Sequence, residues 1–327
     1  MKKAAVLSIL VVGVLLAVGV VAQPQQAVKI PRIGYLTGSS PPTKTTPDLN
    51  ADAFRQGLRE LGYVEGKNIV VEYRYLEGKE DRNPIFLAEL QQLKIDVLIL
   101  IGLSSIRAAK EATKTIPLVM VTNFDPVAIG LVDSLANPGG NLTGLSRFTR
   151  ELSGKRLELL KELLPKVSRV GVLEGAIPYF KDYEPAARAL KIQLESLEVR
   201  SPDSKLEGAF REAAKRRVDA LITARSPLLI SHRKQIADLA IKNRLPLMSE
   251  GSDFAESGAL ASYASDDVAN FKRVAVYVDK ILKGRKPADL PVEQPMSFEF
   301  VINLKTAKQI GLTIPPNVLA RADKVIK

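Results

Sequence analysis

Ile33-Gly34-Tyr35-Leu36-Thr37-Gly38-Ser39-Ser40 is the stretch on which the reading of this chain turns. A short apolar run of strand length passes into glycine and hydroxyl residues, and Pro41 and Pro42 follow at once. A continuous apolar run bounded by turn residues predicts a strand buried on both faces. The motif returns in the second half as Val170-Gly171-Val172-Leu173. Two further echoes keep the same order: Ile95-Asp96-Val97-Leu98-Ile99 against Val218-Asp219-Ala220-Leu221-Ile222, and Ile116-Pro117-Leu118 against Leu245-Pro246-Leu247. Three ordered matches predict two lobes of similar build, although chains of alternating strands and helices share such patterns by convergence.

Outward from the first strand, apolar runs alternate with segments of helical period, the pattern of β-α-β units around a parallel sheet. Phe54, Leu58 and Leu61 fall at i, i+4 and i+7, which gives one helix an apolar face, and Gly62 ends it. Strands are expected at 32–36, 69–75, 96–101, 118–122 and 142–145, then at 169–173, 194–199, 219–223, 247–249 and 260–263. A last strand and helix are read at 298–302 and 304–310. The fold class is therefore α/β, two Rossmann-like lobes with parallel sheets joined by a hinge of several crossing segments. Hinge candidates are Pro138-Gly139-Gly140 with 141–146, and the polar link Gly284 to Pro291.

Lys2 and Lys3 precede an apolar run from Ala4 to Ala22 that ends in Val20-Val21-Ala22. This reads as a signal peptide covering 1–22, with small residues at the cleavage position. The run is nearly as long as the roughly 20 residues that span a bilayer, and Ser8, Gly13 and Gly19 favour cleavage over anchoring. The expected location is periplasmic or otherwise extracytoplasmic. With no cysteine in the chain, disulfides, thiolate metal sites, Cys nucleophiles and a lipidated N-terminal Cys are excluded. The net charge of +11 is spread over many helical faces. Its densest clusters, Lys215-Arg216-Arg217 and Lys283 to Lys286, are too short for a nucleic-acid arm, and no nucleic-acid partner is expected.

Enzyme signatures fail in turn. The single histidine, His232, rules out a multi-histidine metal site. There is no Gly-x-Ser-x-Gly elbow, Ser153-Gly154-Lys155 lacks the upstream glycine of a phosphate loop, and the first strand is not followed by Gly-x-Gly-x-x-Gly. Neither catalysis nor a cofactor is expected. What recurs instead is small and hydroxyl residues at the carboxyl ends of strands, where open α/β sheets place ligands and where the next helix offers free N–H groups to an anion. The candidates are Thr37, Gly38, Ser39, Ser40, Ser104, Ser105, Asn123 and Asp125 in the first half, and Glu174, Ser226, Glu250, Tyr263 and Asp266 in the second. Taken singly, Ser104 or Ser226 could cap a helix, and Asp125 before Pro126 could form a turn. Taken together, they predict a cleft that pairs with both ends of a small zwitterion, with Asp125 or Asp266 on its ammonium.

Several segments also resemble a known family. Ile33 to Leu36, Asp125-Pro126 followed by Gly130-Leu131-Val132, Pro138-Gly139-Gly140-Asn141-Leu142-Thr143-Gly144 and Gly258-Ala259-Leu260-Ala261-Ser262-Tyr263 are similar to the ABC-transporter substrate-binding proteins of the tryptophan/tyrosine type. The resemblance extends through Ile281 to Gly284, Pro287 to Pro291 and Ala307 to Leu312. It implies a type I periplasmic-binding-protein fold, with one lobe from 30–146 plus 258–286 and the other from 147–257 plus 287–327. It also implies a monomer that delivers an amino acid or related carboxylate to an ABC permease and its ATPase, contacts to the ligand at 37–40, Ser104-Ser105 and Asp125, and no chemistry on the ligand. A ligand-sensing subunit of a membrane receptor or kinase is the alternative role. The chain departs from the family pattern at Ser104-Ser105, in place of Thr-Pro, and at Ala264-Ser265-Asp266, in place of Gly-x-Asp.

Overall fold

The computed structural model describes residues 29–44, 47–147, 150–175, 179–199, 202–295 and 297–327; the expected signal peptide, 1–22, lies outside them. The first sheet contains β1 (Arg32–Thr37), β2 (Val70–Tyr75), β3 (Val97–Ile101), β4 (Leu118–Thr122) and β5 (Leu142–Ser146), in spatial order β2-β1-β3-β4-β5 and parallel throughout. The second contains β6 (Arg169–Glu174), β7 (Gln193–Glu198), β8 (Ala220–Thr223), β9 (Leu247–Ser249), β10 (Ala261–Ser265), β11 (Phe298–Asn303) and β12 (Lys324–Ile326). Its order is β12-β11-β10-β9-β8-β6-β7, with β11 antiparallel to β10.

The echoes in the sequence are echoes in space. Reading β7-β6-β8-β9-β10 against β2-β1-β3-β4-β5 gives the same winding twice. Gly34 in β1 is overlain by Ile95 and Leu98, and Gly171 in β6 by their counterparts Val218 and Leu221. A Cβ on Gly34 would lie 2.8 Å from Leu98 and 2.9 Å from Ile95, and one on Gly171 would lie 2.8 Å from Leu221 and 3.3 Å from Val218, so the glycines are kept by close packing over the strand. The paired aspartates do the same work in each lobe: Arg32 N–H donates to Asp96 at 2.9 Å, and Arg169 N–H donates to Asp219 at 2.8 Å. The prolines before β4 and β9 also correspond, since Pro117 and Pro246 carbonyls accept from Leu98 and Leu221 N–H at 2.9 and 2.8 Å.

This symmetry corrects two expected boundaries. The expected boundary at 258 puts the strand after Gly258 in the first lobe, yet β10 is the counterpart of β5 and pairs with β9 in the second sheet. Only the helix that follows it, Asp267–Leu282, belongs to the first lobe, where Phe271, Val274, Ala275 and Val278 pack with Phe54 and Leu58 of the helix Leu49–Glu60. The link near Pro287 is likewise not yet a crossing. Leu290 and Val292 are buried in the first lobe, and Glu293 N–H donates to the Gly144 carbonyl at 3.0 Å beside β5. The chain therefore passes between lobes after Ser146, at Ser265 to Asp267, and between Glu293 and Phe298. Sequence patterning marks the strands well but cannot say which sheet a strand between two sheets will join. The short strand β12 escaped it altogether.

A candidate ligand cavity between the lobes

The carboxyl ends of the parallel strands β1–β5 and β6–β10 face the other lobe, and a cavity of about 130 Å³ lies between the lobes. From the first lobe it is lined by Ser39, Ser40 and Asp48, among others, and from the second by Ser231, Arg233 and Asp253. Pro41, Pro47, Leu49 and Ile230 add apolar wall. The segment just past β1 is held in place by two hydrogen bonds: Ser39 N–H donates to Thr37 Oγ1 at 3.3 Å, and the Gly38 carbonyl accepts from Gly78 N–H at 2.9 Å. Asp48 caps the helix Leu49–Glu60 by accepting from Ala51 N–H at 3.0 Å, while its other oxygen accepts from the Tyr75 hydroxyl at 3.1 Å. Burial pushes the Asp48 carboxyl above its ordinary value, and these hydrogen bonds offset only part of that rise.

The two lobes touch around this cavity. Ser40 N–H donates to Ser231 Oγ at 3.1 Å, and Arg233 Nη2 donates to the Pro47 carbonyl at 3.0 Å. Behind them lies a buried charge cluster. Arg225, just past β8, pairs with Asp253 at 3.0 Å and with Asp267 at 2.7 Å, and Asp267 lies 2.8 Å from Arg147 Nε. Burial opposes ionisation of Asp267, but the Arg147 and Arg225 guanidiniums outweigh it and hold its carboxyl below the ordinary range. Arg147, by contrast, is lowered by burial, with Asp267 compensating only in part. At a further contact, the Arg150 guanidinium lies 5.1 Å from the ring centroids of both Phe124 and Tyr179, one from each lobe, and is held by Asp182.

The expected site residues divide into those at the interlobe face and those spent on local structure. Thr37 and Gly38 are buried beneath the cavity, Ser39 and Ser40 line it, and Asn123 bridges the lobes by donating to the Arg225 carbonyl at 3.3 Å. Ser226 is the N-cap of the short helix Pro227–Ser231, accepting from Leu229 N–H. Asp266 caps Asp267–Leu282 by accepting from Ala269 N–H at 3.0 Å, so its neighbour Asp267, not Asp266, carries the interlobe ion pairs. Ser104 accepts from Asn83, and Ser105 is buried in the helix Leu103–Ala112.

Asp125 is exposed, with Oδ1 accepting from Val127 and Ala128 N–H at 2.9 and 3.2 Å. The structure does not bring it to the cavity: an Asx turn accounts for its carboxylate. Glu174 accepts from Tyr179 and Phe180 N–H and from Ser196 Oγ, which fixes the start of the helix Phe180–Leu190. Glu250 is the counter-ion of the fully buried Arg156 at 3.1 Å and also accepts from the Tyr183 hydroxyl at 2.7 Å. Tyr263 stacks on Phe298 in the second lobe, and its carbonyl accepts from Arg156 Nε. The residues that sequence reasoning missed are Asp48, Arg147, Arg225, Arg233, Asp253 and Asp267. Of these only Asp48 carried a legible signal, an N-cap aspartate after Pro47 at the head of an amphipathic helix.

Two largely parallel sheets whose strand ends enclose a shared polar cavity, with the chain crossing between them more than once, define a two-lobed solute-binding protein of the type I periplasmic kind. The comparison with known proteins gives the family: residues 45–326 match the ABC transporter substrate binding protein model, and the chain belongs to that family. A tyrosine-binding protein of Clostridioides difficile (strain R20291) is 28% identical over 277 residues, covering 81% of this chain and 77% of that one. A conserved domain protein from Vibrio cholerae is 29% identical with a TM-score of 0.80, over 91% of this chain and 100% of the other. The ABC domain of Streptococcus pneumoniae in complex with L-Trp is 27% identical with a TM-score of 0.77, over 90% of this chain and 100% of that chain. The family binds small-molecule substrates for ABC transporters outside the cytoplasm. Among the described residues no helix is long and apolar enough to cross a membrane.

Proposed function

We propose that this chain captures a free amino acid, an aromatic one foremost, between its lobes and hands it as a monomer to an ABC permease, after export directed by residues 1–22. The observation that carries this reading is the chemistry of the interlobe cavity. Asp48 and Asp253 offer carboxylates to an ammonium, while the Arg233 guanidinium and the hydroxyls of Ser39, Ser40 and Ser231 offer donors to a carboxylate. A zwitterion meets both, and each lobe supplies part of each set, so binding and closure strengthen together. The tyrosine-binding relative and the L-Trp-bound structure support the aromatic choice. Nothing in the cavity calls for chemistry on the guest, and the protein acts by closing on it and presenting both lobe surfaces in register.

Isothermal titration of the mature chain with the twenty amino acids tests this. L-tyrosine or L-tryptophan should bind, whereas tyramine, which lacks the carboxylate, and N-acetyltyrosine, which lacks the ammonium, should each lose most of the affinity. Equal binding of tyramine and tyrosine, or no binding by any amino acid, would refute the zwitterion reading. Because burial raises the Asp48 carboxyl, affinity should also fall as pH is lowered and that group is protonated.

A further inference from the structure

The polar contacts behind the cavity close into a ring. Arg147 Nη1 donates to Asn123 Oδ1 at 3.3 Å, and Asn123 Nδ2 donates to the Arg225 carbonyl at 3.3 Å. Arg225 Nη2 meets Asp267 Oδ2 at 2.7 Å, and Asp267 Oδ1 returns to Arg147 Nε at 2.8 Å. Asn123 stands at the end of β4 in the first lobe, and Arg225 stands just past β8 in the second. Arg147 and Asp267 sit in the two neighbouring segments where the chain changes lobes. We infer that this ring is a closure latch, and that Arg225 is the positioning residue that couples it to the ligand cavity through Asp253.

Three features support the assignment. The ring members come from both lobes and from the hinge itself, so opening the lobes must separate Arg225 from Asn123 or from Asp267. Both arginines are almost wholly buried, at 4% and 3% exposure, so their contacts are little weakened by salt. Lastly, Arg225 Nη1 donates to Asp253 Oδ1 at 3.0 Å, and Asp253 is itself a wall of the cavity. A latch of this kind holds part of the empty protein closed, and apparent affinity rises with the fraction already competent to bind. The inference rests on the interlobe cavity being the binding site, but it concerns closure without ligand and so can be tested apart from the identity of any guest.

The absence of cysteine makes the test clean. Ser40→Cys with Ser231→Cys places one thiol on each lobe where Ser40 N–H already donates to Ser231 Oγ, and the rate of disulfide formation in ligand-free protein reports the closed population. Adding Arg225→Met should slow that rate by about tenfold or more, since a hydrogen bond to a charged group contributes enough to move an equilibrium by that factor. Arg225→Lys should recover part of it. Far-UV circular dichroism checks that the variant is folded; should Arg225→Met fail to fold, Asn123→Ala, uncharged and half-buried, breaks the same ring and decides the question. A cross-linking rate unchanged or faster in the folded variant overturns the latch, whatever solute the protein turns out to bind.

Discussion

Neutralising Glu250 tests whether it is a structural counter-ion or part of the ligand site. Its carboxylate is 2% exposed and accepts from Arg156 Nη1 at 3.1 Å, the Tyr183 hydroxyl at 2.7 Å and Arg225 N–H at 2.9 Å. Arg156 is 0% exposed, so Glu250→Gln leaves a guanidinium charge in the second lobe without its balancing anion. Breaking a buried pair from one side costs about 3–5 kcal/mol, whereas replacing both partners by residues of similar volume can be near neutral. Urea unfolding followed by tyrosine fluorescence, in a chain without tryptophan, should therefore show a loss of about 3–5 kcal/mol for Glu250→Gln. The double variant Glu250→Gln with Arg156→Met should regain most of that loss. The melting temperature of the single variant should fall on the order of 10 °C. A loss under about 1 kcal/mol, typical of exposed pairs, or a double variant no better than the single one, would refute the assignment.

Three other outcomes follow from the same geometry. Asp125→Ala should change ligand affinity less than twofold by calorimetry while costing about 0.5–2 kcal/mol, the range for a lost cap, because the carboxylate is spent on Val127 and Ala128 N–H. Gly144→Ala should abolish folding or cost more than about 3 kcal/mol, read from soluble yield and melting, since Gly144 has φ +137° and an added Cβ would collide with the Met120 backbone. Asp267, held below its ordinary carboxyl value despite burial, stabilises the fold fully above an unfolded-state pKa of about 4, and that stability is lost as pH falls through the lower folded-state value. The acid limb of a stability curve should thus be shallower in Asp267→Asn than in the parent.

Much of the fold was legible because parallel strands buried on both faces leave continuous apolar runs. Val97 to Ile101 and Leu118 to Thr122 were read almost to the residue. The internal repeat was legible for a deeper reason: Gly34 and Gly171, Asp96 and Asp219, Pro117 and Pro246 each meet the same local packing demand twice. The site was only half legible. Hydroxyls at strand ends marked the turn at Ser39 and Ser40, yet Glu174, Asp125 and Asp266 satisfy backbone N–H groups two to six residues further along the chain, and sequence cannot tell a cap from a ligand. Arg147, Arg225 and Asp267 stayed hidden because their meaning comes from partners 42 to 120 positions away, brought together only when the lobes meet.

In this protein the guest is expected between the lobes, in contact with both. A crystal structure of the mature chain grown with the amino acid that binds best in titration tests it most directly. Density for that molecule should be bounded by Ser39, Ser40 and Asp48 on one side and by Ser231, Arg233 and Asp253 on the other. Density confined to the outer face of one lobe, with the space between the lobes empty, would contradict it.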